Sequence, residues 1–290
     1  MKAPSFNYAR PDTVAEAIRL LSRSPDDTRI LAGGQSLVPM LNLRVVSPSV
    51  LIDINQISTL NGIKVEPEKV HVGALTRHAQ LEISTEISTY LPLLALAAPH
   101  IAHPAIRTRG TFGGSCAFAD PSAEIPACSL ALDATFVVAG PNGERRVLAQ
   151  DFFVGALTTA LEPEELLLRA EFPKPKPGYV SAFGELTRRK GDFALVGVAA
   201  YGSTSQRRLS DLRIVIFGAG DKPVRAIHLE TALQDQDASS DSIRRAVTAL
   251  DADIDPRDDL HATSETRRHL AKILAARVLN NLVTGHNGVD

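Results

Sequence analysis

The alternation of apolar and polar positions divides the chain into short elements, and the first of them carries its own start signal. Thr13 with Glu16 has the spacing of a capping box, and Val14, Ala17, Ile18 and Leu21 behind it fall on one helical face, so the pattern predicts a helix. Ser24-Pro25-Asp26-Asp27 reads as a turn, and Arg29-Ile30-Leu31-Ala32 as a short buried strand running straight into Gly33-Gly34-Gln35-Ser36. A second short helix carrying Leu37, Met40 and Leu41 and a strand at Val50 to Ile54 complete what reads as a small βαβ unit. A strand at Val70 to Ala74, a helix around Arg77 to Glu82 and a helical apolar stretch from Leu91 to Ile101 follow, then a long loop from Arg107 to Asp120. Ser122-Ala123-Glu124 opens a helix through Leu130. Strands at 134–139 and 145–148 pair about Pro141-Asn142-Gly143, and Leu166 to Phe172 forms a further strand.

Pro173-Lys174-Pro175-Lys176-Pro177-Gly178 interrupts this pattern, because alternating prolines suit neither helix nor sheet, and it marks a domain boundary. Beyond it, 179–186, 193–201 and 212–217 read as strands, and 242–250 and 264–283 as helices. The fold class expected is therefore α+β, with a sheet and trailing helices closing the chain.

Composition narrows the chemistry. In 290 residues the net charge is -2, which gives no global pull toward nucleic acid or an anionic membrane. No apolar run approaches the roughly 20 residues of a membrane-spanning helix, and no h-region follows the first residues, so a cytoplasmic location is expected. Cys116 and Cys128 match neither a zinc nor an iron-sulfur spacing, so a redox centre here would be an organic cofactor. His100 and His103 form an H-x-x-H pair, but no third ligand is near in sequence and the pair reads as loop or cap histidines.

Two glycine-rich loops carry the candidate chemistry. In Ala32-Gly33-Gly34-Gln35-Ser36 a strand ends in paired glycines, leaving backbone N–H groups free to meet a phosphate with no side chain in the way. Gly110-Thr111-Phe112-Gly113-Gly114-Ser115 offers the same device again, with the Thr111 and Ser115 hydroxyls as extra donors. Either loop alone is ordinary turn chemistry; as a pair they point to two jaws on a pyrophosphate. Phe217-Gly218-Ala219-Gly220 imitates half of a dinucleotide fingerprint, but Pro223 stands where the third glycine belongs, so it reads as a turn. Arg188-Arg189-Lys190 is a solvated face or a basic patch for a partner or an anionic acceptor.

The stretches 32–39 (Ala-Gly-Gly-Gln-Ser-Leu-Val-Pro) and 107–124 (Arg-Thr-Arg-Gly-Thr-Phe-Gly-Gly-Ser-Cys-Ala-Phe-Ala-Asp-Pro-Ser-Ala-Glu) resemble the two FAD loops of the carbon monoxide dehydrogenase/xanthine dehydrogenase flavoprotein subunits. Phe6, Pro11, Val72-Gly73-Ala74 and 188–194 extend the resemblance over nearly the whole chain. It implies a two-lobed PCMH-type FAD domain over 1–176, with lobes of 1–60 and 61–176, and a smaller α+β C-terminal domain over 177–290. The family's first loop corresponds to Ile30, Leu31, Ala32, Gly33, Gly34, Gln35, Ser36 and Leu37, and its second to Gly110, Thr111, Gly113, Gly114 and Ser115. Ala123 and Glu124 match the cofactor-contacting acid segment. Ile101, Ala102 and Ile106 match the adenine side, Leu167 an apolar contact, and Asp192 and Phe193 the isoalloxazine side. Glu124 is equally a helix-start acid, Asp192 a turn acid and Phe193 a core aromatic when read without the resemblance.

Ser115 stands where many relatives carry Asn, and Phe112 where Ile or Val is usual, changes that keep the backbone cradle. Covalent flavoproteins of the wider group attach FAD through a first-loop His. Gln35 and Ser36 occupy that region here, which implies noncovalent FAD. The resemblance further implies a large molybdopterin subunit and a small subunit with [2Fe-2S] clusters, assembled as a dimer of heterotrimers. No catalytic acid or base and no metal ligand is then required of this chain, whose role is electron transfer through FAD to an external acceptor. A self-contained PCMH-type FAD oxidoreductase and a non-catalytic nucleotide-binding assembly protein are the alternatives.

Overall fold

The computed structural model describes residues 2–205, 208–234 and 236–285. Its opening unit is a three-stranded parallel sheet of order β1-β3-β2, with β1 at Asn7–Ala9, β2 at Thr28–Leu31 and β3 at Val50–Asp53, connected through α1 (Val14–Leu21) and α2 (Leu37–Asn42). The βαβ pattern is present, with β1 as an added edge strand. The capping box is half closed: Thr13 Oγ1 accepts the Glu16 N–H at 3.2 Å, but the Glu16 carboxylate accepts from Asp12 N–H at 3.4 Å.

The second unit brings β4 (Ile63–Val65), β5 (Lys69–Gly73), β6 (Thr135–Gly140), β7 (Gly143–Leu148), β8 (Phe153–Gly155), β9 (Thr158–Thr159) and β10 (Leu166–Pro173). β8 and β9 pair with each other; the other five form an antiparallel sheet of order β4-β5-β10-β6-β7. Between β5 and β6 run α3 (His78–Ile83), α4 (Thr85–Tyr90), α5 (Pro92–Ala97), α6 (Pro104–Arg107), α7 (Phe112–Phe118) and α8 (Glu124–Ala131), and α9 (Ala149–Phe152) follows β7. Strand periodicity makes this sheet two-faced. Val70, Val72, Phe136, Val138, Ala170 and Phe172 enter the largest core with α5, α7 and α8, while Val137, Ala139, Leu166 and Leu168 enter a separate core with Ala17, Leu21, Ile52 and Ile54 of the opening unit.

Two expectations fail here for local reasons. The apolar stretch 91–101 is not one helix: α5 ends at Ala97 and a 3-10 turn spans Ala98–His100, where Pro99 offers no backbone N–H. The long loop 107–120 contains α7, because Thr111 caps it through the Gly114 N–H at 3.1 Å and the paired glycines are packing positions rather than breakers. A Cβ on Gly113 would lie 2.5 Å from the Ala74 Cβ.

After Lys174 to Gly178 come β11 (Tyr179–Leu186), β12 (Val196–Ser205), β13 (Arg208–Phe217) and the short β14 (Val224–Arg225), an antiparallel sheet in that order, then α10 (Ile227–Leu233), α11 (Ser240–Ala246) and α12 (Ser264–Thr284). The helix expected at 242–250 is α11 followed by a 3-10 turn, Val247–Ala252, and α10 gave no sequence signal. The strand expected from 193 starts at Val196, since Gly191 at φ 86° turns the chain and leaves 191–193 as a loop. This sheet is also two-faced. Phe183, Ala199, Tyr201, Val215 and Phe217 complete the core of the second unit, whereas Ala182, Val198, Ala200, Ile214 and Ile216 pack on α10, α11 and α12.

A buried cation ties this last part together. Arg267 of α12, 6% exposed, donates through Nη1 to the carbonyls of Leu195 at 2.5 Å and Gly218 at 2.6 Å and through Nη2 to Asp259 at 2.5 Å. Arg267→Met leaves two carbonyls and a carboxylate without their donor. We expect a loss of about 3 kcal/mol, read as a lower urea midpoint; an unchanged midpoint would show that water replaces the guanidinium.

Candidate functional site

The first glycine loop leaves β2 at Leu31 and turns through Gly34, whose φ is 72°. The backbone N–H groups of Gly33, Gly34, Gln35 and Ser36 have no acceptor among the described residues. The loop is held by its carbonyls instead: Ala32 O accepts from Asn55 Nδ2 at 2.8 Å, and Gly33 O from Gln35 Nε2 at 3.0 Å. All four donors therefore stay available to a ligand.

The second loop works differently from the expectation. Its amides are spent inside the protein: Phe112 N–H donates to Thr76 O, Gly113 to Ala74 O, Gly114 to Thr111 Oγ1 and Ser115 to Thr111 O. Only the Thr111 N–H, at a residue 2% exposed, has no acceptor among the described residues. What this loop offers is a side-chain-free wall with the Thr111 and Ser115 hydroxyls, not a second set of free amides. The reason is that α7 starts at Phe112 and its first turn is stitched to the β5–α3 connection.

The two loops touch directly. A Cβ on Gly33 would collide with the Arg109 carbonyl oxygen and lie 2.8 Å from the Gly110 Cα. Arg77 clamps the contact, donating through Nη1 to Arg109 O and through Nη2 to Asn55 Oδ1 at 2.6 Å. Asn55 in turn holds Ala32 O and is fixed by Asp53 Oδ1 at 2.6 Å. One arginine thus spans from the carbonyl of one loop to the residue that anchors the other.

Between the loops opens a cavity of about 650 Å³, a size suited to a cofactor. Of the residues expected to contact a cofactor, Ile30, Ala32 to Leu37, Ile101, Ala102, Ile106, Gly110, Thr111, Gly113 to Ser115, Ala123, Glu124, Leu167, Asp192 and Phe193 all line it. Leu31 does not, because strand alternation turns its side chain away from that of Ile30. The reading missed His78, Asp120, Met40 and Gly191, which also line the cavity. His78 and Asp120 carried no spacing signal; tertiary packing alone brings them there.

Burial sets the electrostatics. It pushes the Glu124 carboxyl up to about 8, with the charges of Glu185 and Asp120 adding to it, so the group is mostly protonated at neutral pH. His78 is lowered to about 4 by burial and by Arg107 and Arg77, so its ring is neutral, and its Nδ1 is buried with no hydrogen-bond partner among the described residues. The two histidines of the H-x-x-H pair have separate neighbours: His100 Nδ1 lies 3.4 Å from Glu185, and His103 packs on Gly191.

Both parts of the chain match known protein families. Residues 4–175 match the family described as FAD binding domain in molybdopterin dehydrogenase, and residues 181–282 match the CO dehydrogenase flavoprotein C-terminal domain. The chain belongs to this family. The 6-hydroxypseudooxynicotine dehydrogenase complex subunit alpha of Paenarthrobacter nicotinovorans is 40% identical over 96% of this chain and 95% of its own length. A carbon monoxide dehydrogenase chain from Hydrogenophaga pseudoflava superposes with a TM-score of 0.95 at 37% identity, covering 99% of this chain and 100% of that one. A quinoline 2-oxidoreductase chain from Pseudomonas putida 86 gives a TM-score of 0.94 at 36% identity, covering 99% of each. The chain is thus an FAD-dependent oxidoreductase subunit of the molybdenum hydroxylase type, and no helix among its described residues is long and apolar enough to cross a membrane.

The cavity of this flavoprotein fits FAD on its own geometry. Free amides at Gly33 to Ser36 and Thr111 suit a diphosphate, Gly33, Gly113 and Gly114 line the cavity with backbone alone, and a protonated Glu124 does not repel it. Gly33→Ala should separate the loops and lower bound flavin by at least about tenfold while far-ultraviolet circular dichroism stays native; full flavin content would show that the loops need not touch. Because the folded Glu124 carboxyl is raised from its ordinary value, its contribution to stability is present below about 4.5 and lost as pH rises toward about 8. Glu124→Gln should therefore flatten the decline in apoprotein melting temperature across that window, gaining on the order of 1–3 kcal/mol at its upper end. An unaltered pH profile would place the carboxyl in water.

Proposed function

We propose that this chain is the medium subunit of a molybdenum-containing hydroxylase, taking electrons from the [2Fe-2S] clusters of a small partner and passing them through noncovalent FAD to an external acceptor. Substrate oxidation itself belongs, in this reading, to a large molybdopterin subunit. The observation that carries the proposal is the single cavity onto which both glycine loops open, with four free amides on one side and a side-chain-free wall on the other. Bound FAD supplies exchange of electron pairs and single electrons, and the residues of this chain bind and orient it.

In detail, the amides of Gly33 to Ser36 and Thr111 hold the diphosphate, Ile101, Ala102 and Ile106 flank the adenine, and Leu167, Asp192 and Phe193 flank the isoalloxazine. Ile30, Leu37, Gly110, Gly113, Gly114, Ser115, Ala123 and Glu124 supply the remaining walls, and common lining of one cavity supports this assignment. Noncovalent attachment is supported by Gln35 and Ser36 on the first loop, where neither side chain is a histidine. The chain divides in our reading into 1–176 and 177–290, in keeping with the two matched regions, although the sheet of the second part completes the core of the first. A dimer of heterotrimers in the cytoplasm is the assembly and place we assign to the complex, on family resemblance.

The test is an absorption spectrum of the purified chain after incubation with FAD, taken before and after acid precipitation. Flavin bands that follow the protein and appear as free FAD in the acid supernatant are the expected result. Yellow colour retained in the pellet would overturn noncovalent attachment, and a chain that never takes up flavin would overturn the site. Substrate-dependent bleaching of the isolated chain would instead favour a self-contained oxidoreductase.

A further inference from the structure

His78 lines the cofactor cavity without an assigned role. Its backbone is fixed: the His78 N–H donates to Gly110 O at 3.1 Å and the Phe112 N–H to Thr76 O at 2.8 Å, two bonds that lay the start of α3 against the second glycine loop. The side chain has no such anchor. The residue is 5% exposed, Nδ1 is buried, and neither ring nitrogen meets a hydrogen-bond partner among the described residues. A buried imidazole without partners gives up hydration that an apolar side chain never required. At the wall of a cavity, such a group points to a partner that arrives with the ligand.

The ring edge in question is the one beside Gly110, which lines the same cavity. A methyl group added to Gly110 would lie 2.6 Å from the ring's Cδ2 and 3.1 Å from Nε2, so glycine there leaves this edge free of a side chain. Burial, with Arg107 and Arg77 nearby, keeps the ring neutral, and a neutral imidazole carries a single N–H. On the sealed Nδ1 that hydrogen would be a donor with no acceptor, whereas an unpaired lone pair there is the smaller loss. The proton therefore belongs on Nε2. This makes a neutral donor one residue along from the free Thr111 N–H.

We propose that His78 Nε2–H donates a hydrogen bond to the cofactor's diphosphate, on its adenosine side. The inference rests on the FAD reading above. Position along the wall selects the adenosine side: Gly110 lies between Ile106, assigned to adenine, and Thr111, assigned to the diphosphate, and its N–H donates to Ile106 O at 2.7 Å. An uncharged donor suits the place. Arg77 and Arg107 already bring positive charge close to the ring, and a neutral imidazole adds a directional bond to an anionic oxygen without burying a further cation. Loop and ring then act together, since the glycine that keeps the loops in contact with each other also leaves Nε2 uncovered.

The experiment measures FAD binding to the full chain by flavin fluorescence, and ADP and adenosine binding by competition against it. His78→Phe removes both ring nitrogens, His78→Gln puts an amide donor near the position of Nε2, and His78→Asn puts one near that of Nδ1. His78→Phe and His78→Asn are expected to weaken FAD and ADP about tenfold or more while adenosine changes less than about twofold, and His78→Gln to recover most of the loss. A merely structural role would not separate ADP from adenosine. Wild-type ADP affinity in His78→Phe, or equal weakening of ADP and adenosine, would overturn the contact. Should His78→Phe fail to fold, proton–nitrogen spectra of the wild-type chain with isotope-labelled histidine decide, the His78 signal being identified by its loss in His78→Gln. An Nε2–H signal that shifts with ADP and not with adenosine is expected; a proton on Nδ1, or a signal that ADP leaves in place, would overturn the proposal. A wild-type chain that binds neither FAD nor ADP would instead overturn the functional reading beneath it.

Discussion

The site depends on two stretches of backbone meeting with no side chain between them. Gly33 lies against the carbonyl of Arg109 and the Cα of Gly110, and even a methyl group there would force the loops apart. Close approach fixes the spacing of the cavity walls, and Arg77 fixes their relative position by bonding to Arg109 O on one side and Asn55 on the other. The clamp acts on carbonyl oxygens, which is why the amides of Gly33 to Ser36 remain free for an anion. Geometry and donor supply thus come from the same few residues.

Around that contact the chain is organised by two two-faced sheets. The five-stranded sheet of the second unit buries Phe136 and Val138 on one side and Val137 and Ala139 on the other, so it holds the opening unit and its own helices at once. The C-terminal sheet repeats the arrangement, giving Phe183 and Phe217 to the core of the second unit and Ala182 and Ile216 to α10, α11 and α12. Apolar faces shared in this way make the C-terminal part a wall of the cofactor cavity rather than an appendage. Gly191 at φ 86° and packing of His103 against it bring Asp192 and Phe193 to the rim.

Much of this was legible along the chain. The cap at Thr13, the strand at Val70 to Ala74, the hairpin about Pro141-Asn142-Gly143 and the long final helix announced themselves by spacing and turn chemistry, since each depends on neighbours in sequence. The two glycine loops did so as well, and family resemblance joined them to Ile101, Ala102, Ile106, Leu167, Asp192 and Phe193, which meet at one cavity. Pro99 cutting the 91–101 helix and α7 forming within the presumed loop show the limit, because whether a proline or a glycine pair ends a helix depends on what packs against it.

By itself, then, the sequence determined most of the element types and the candidate loops, which follow from local propensity and from motifs that are contiguous in the chain, and family resemblance added the class of cofactor. Only the tertiary structure decided which loop keeps its amides free, that Arg77 and Asn55 clamp the pair, that His78 and Asp120 join the cavity and that Glu124 is held protonated. Each of those is a matter of hydrogen bonds and burial between residues far apart in sequence. No spacing rule reports such properties, because they exist only once the walls have been packed together.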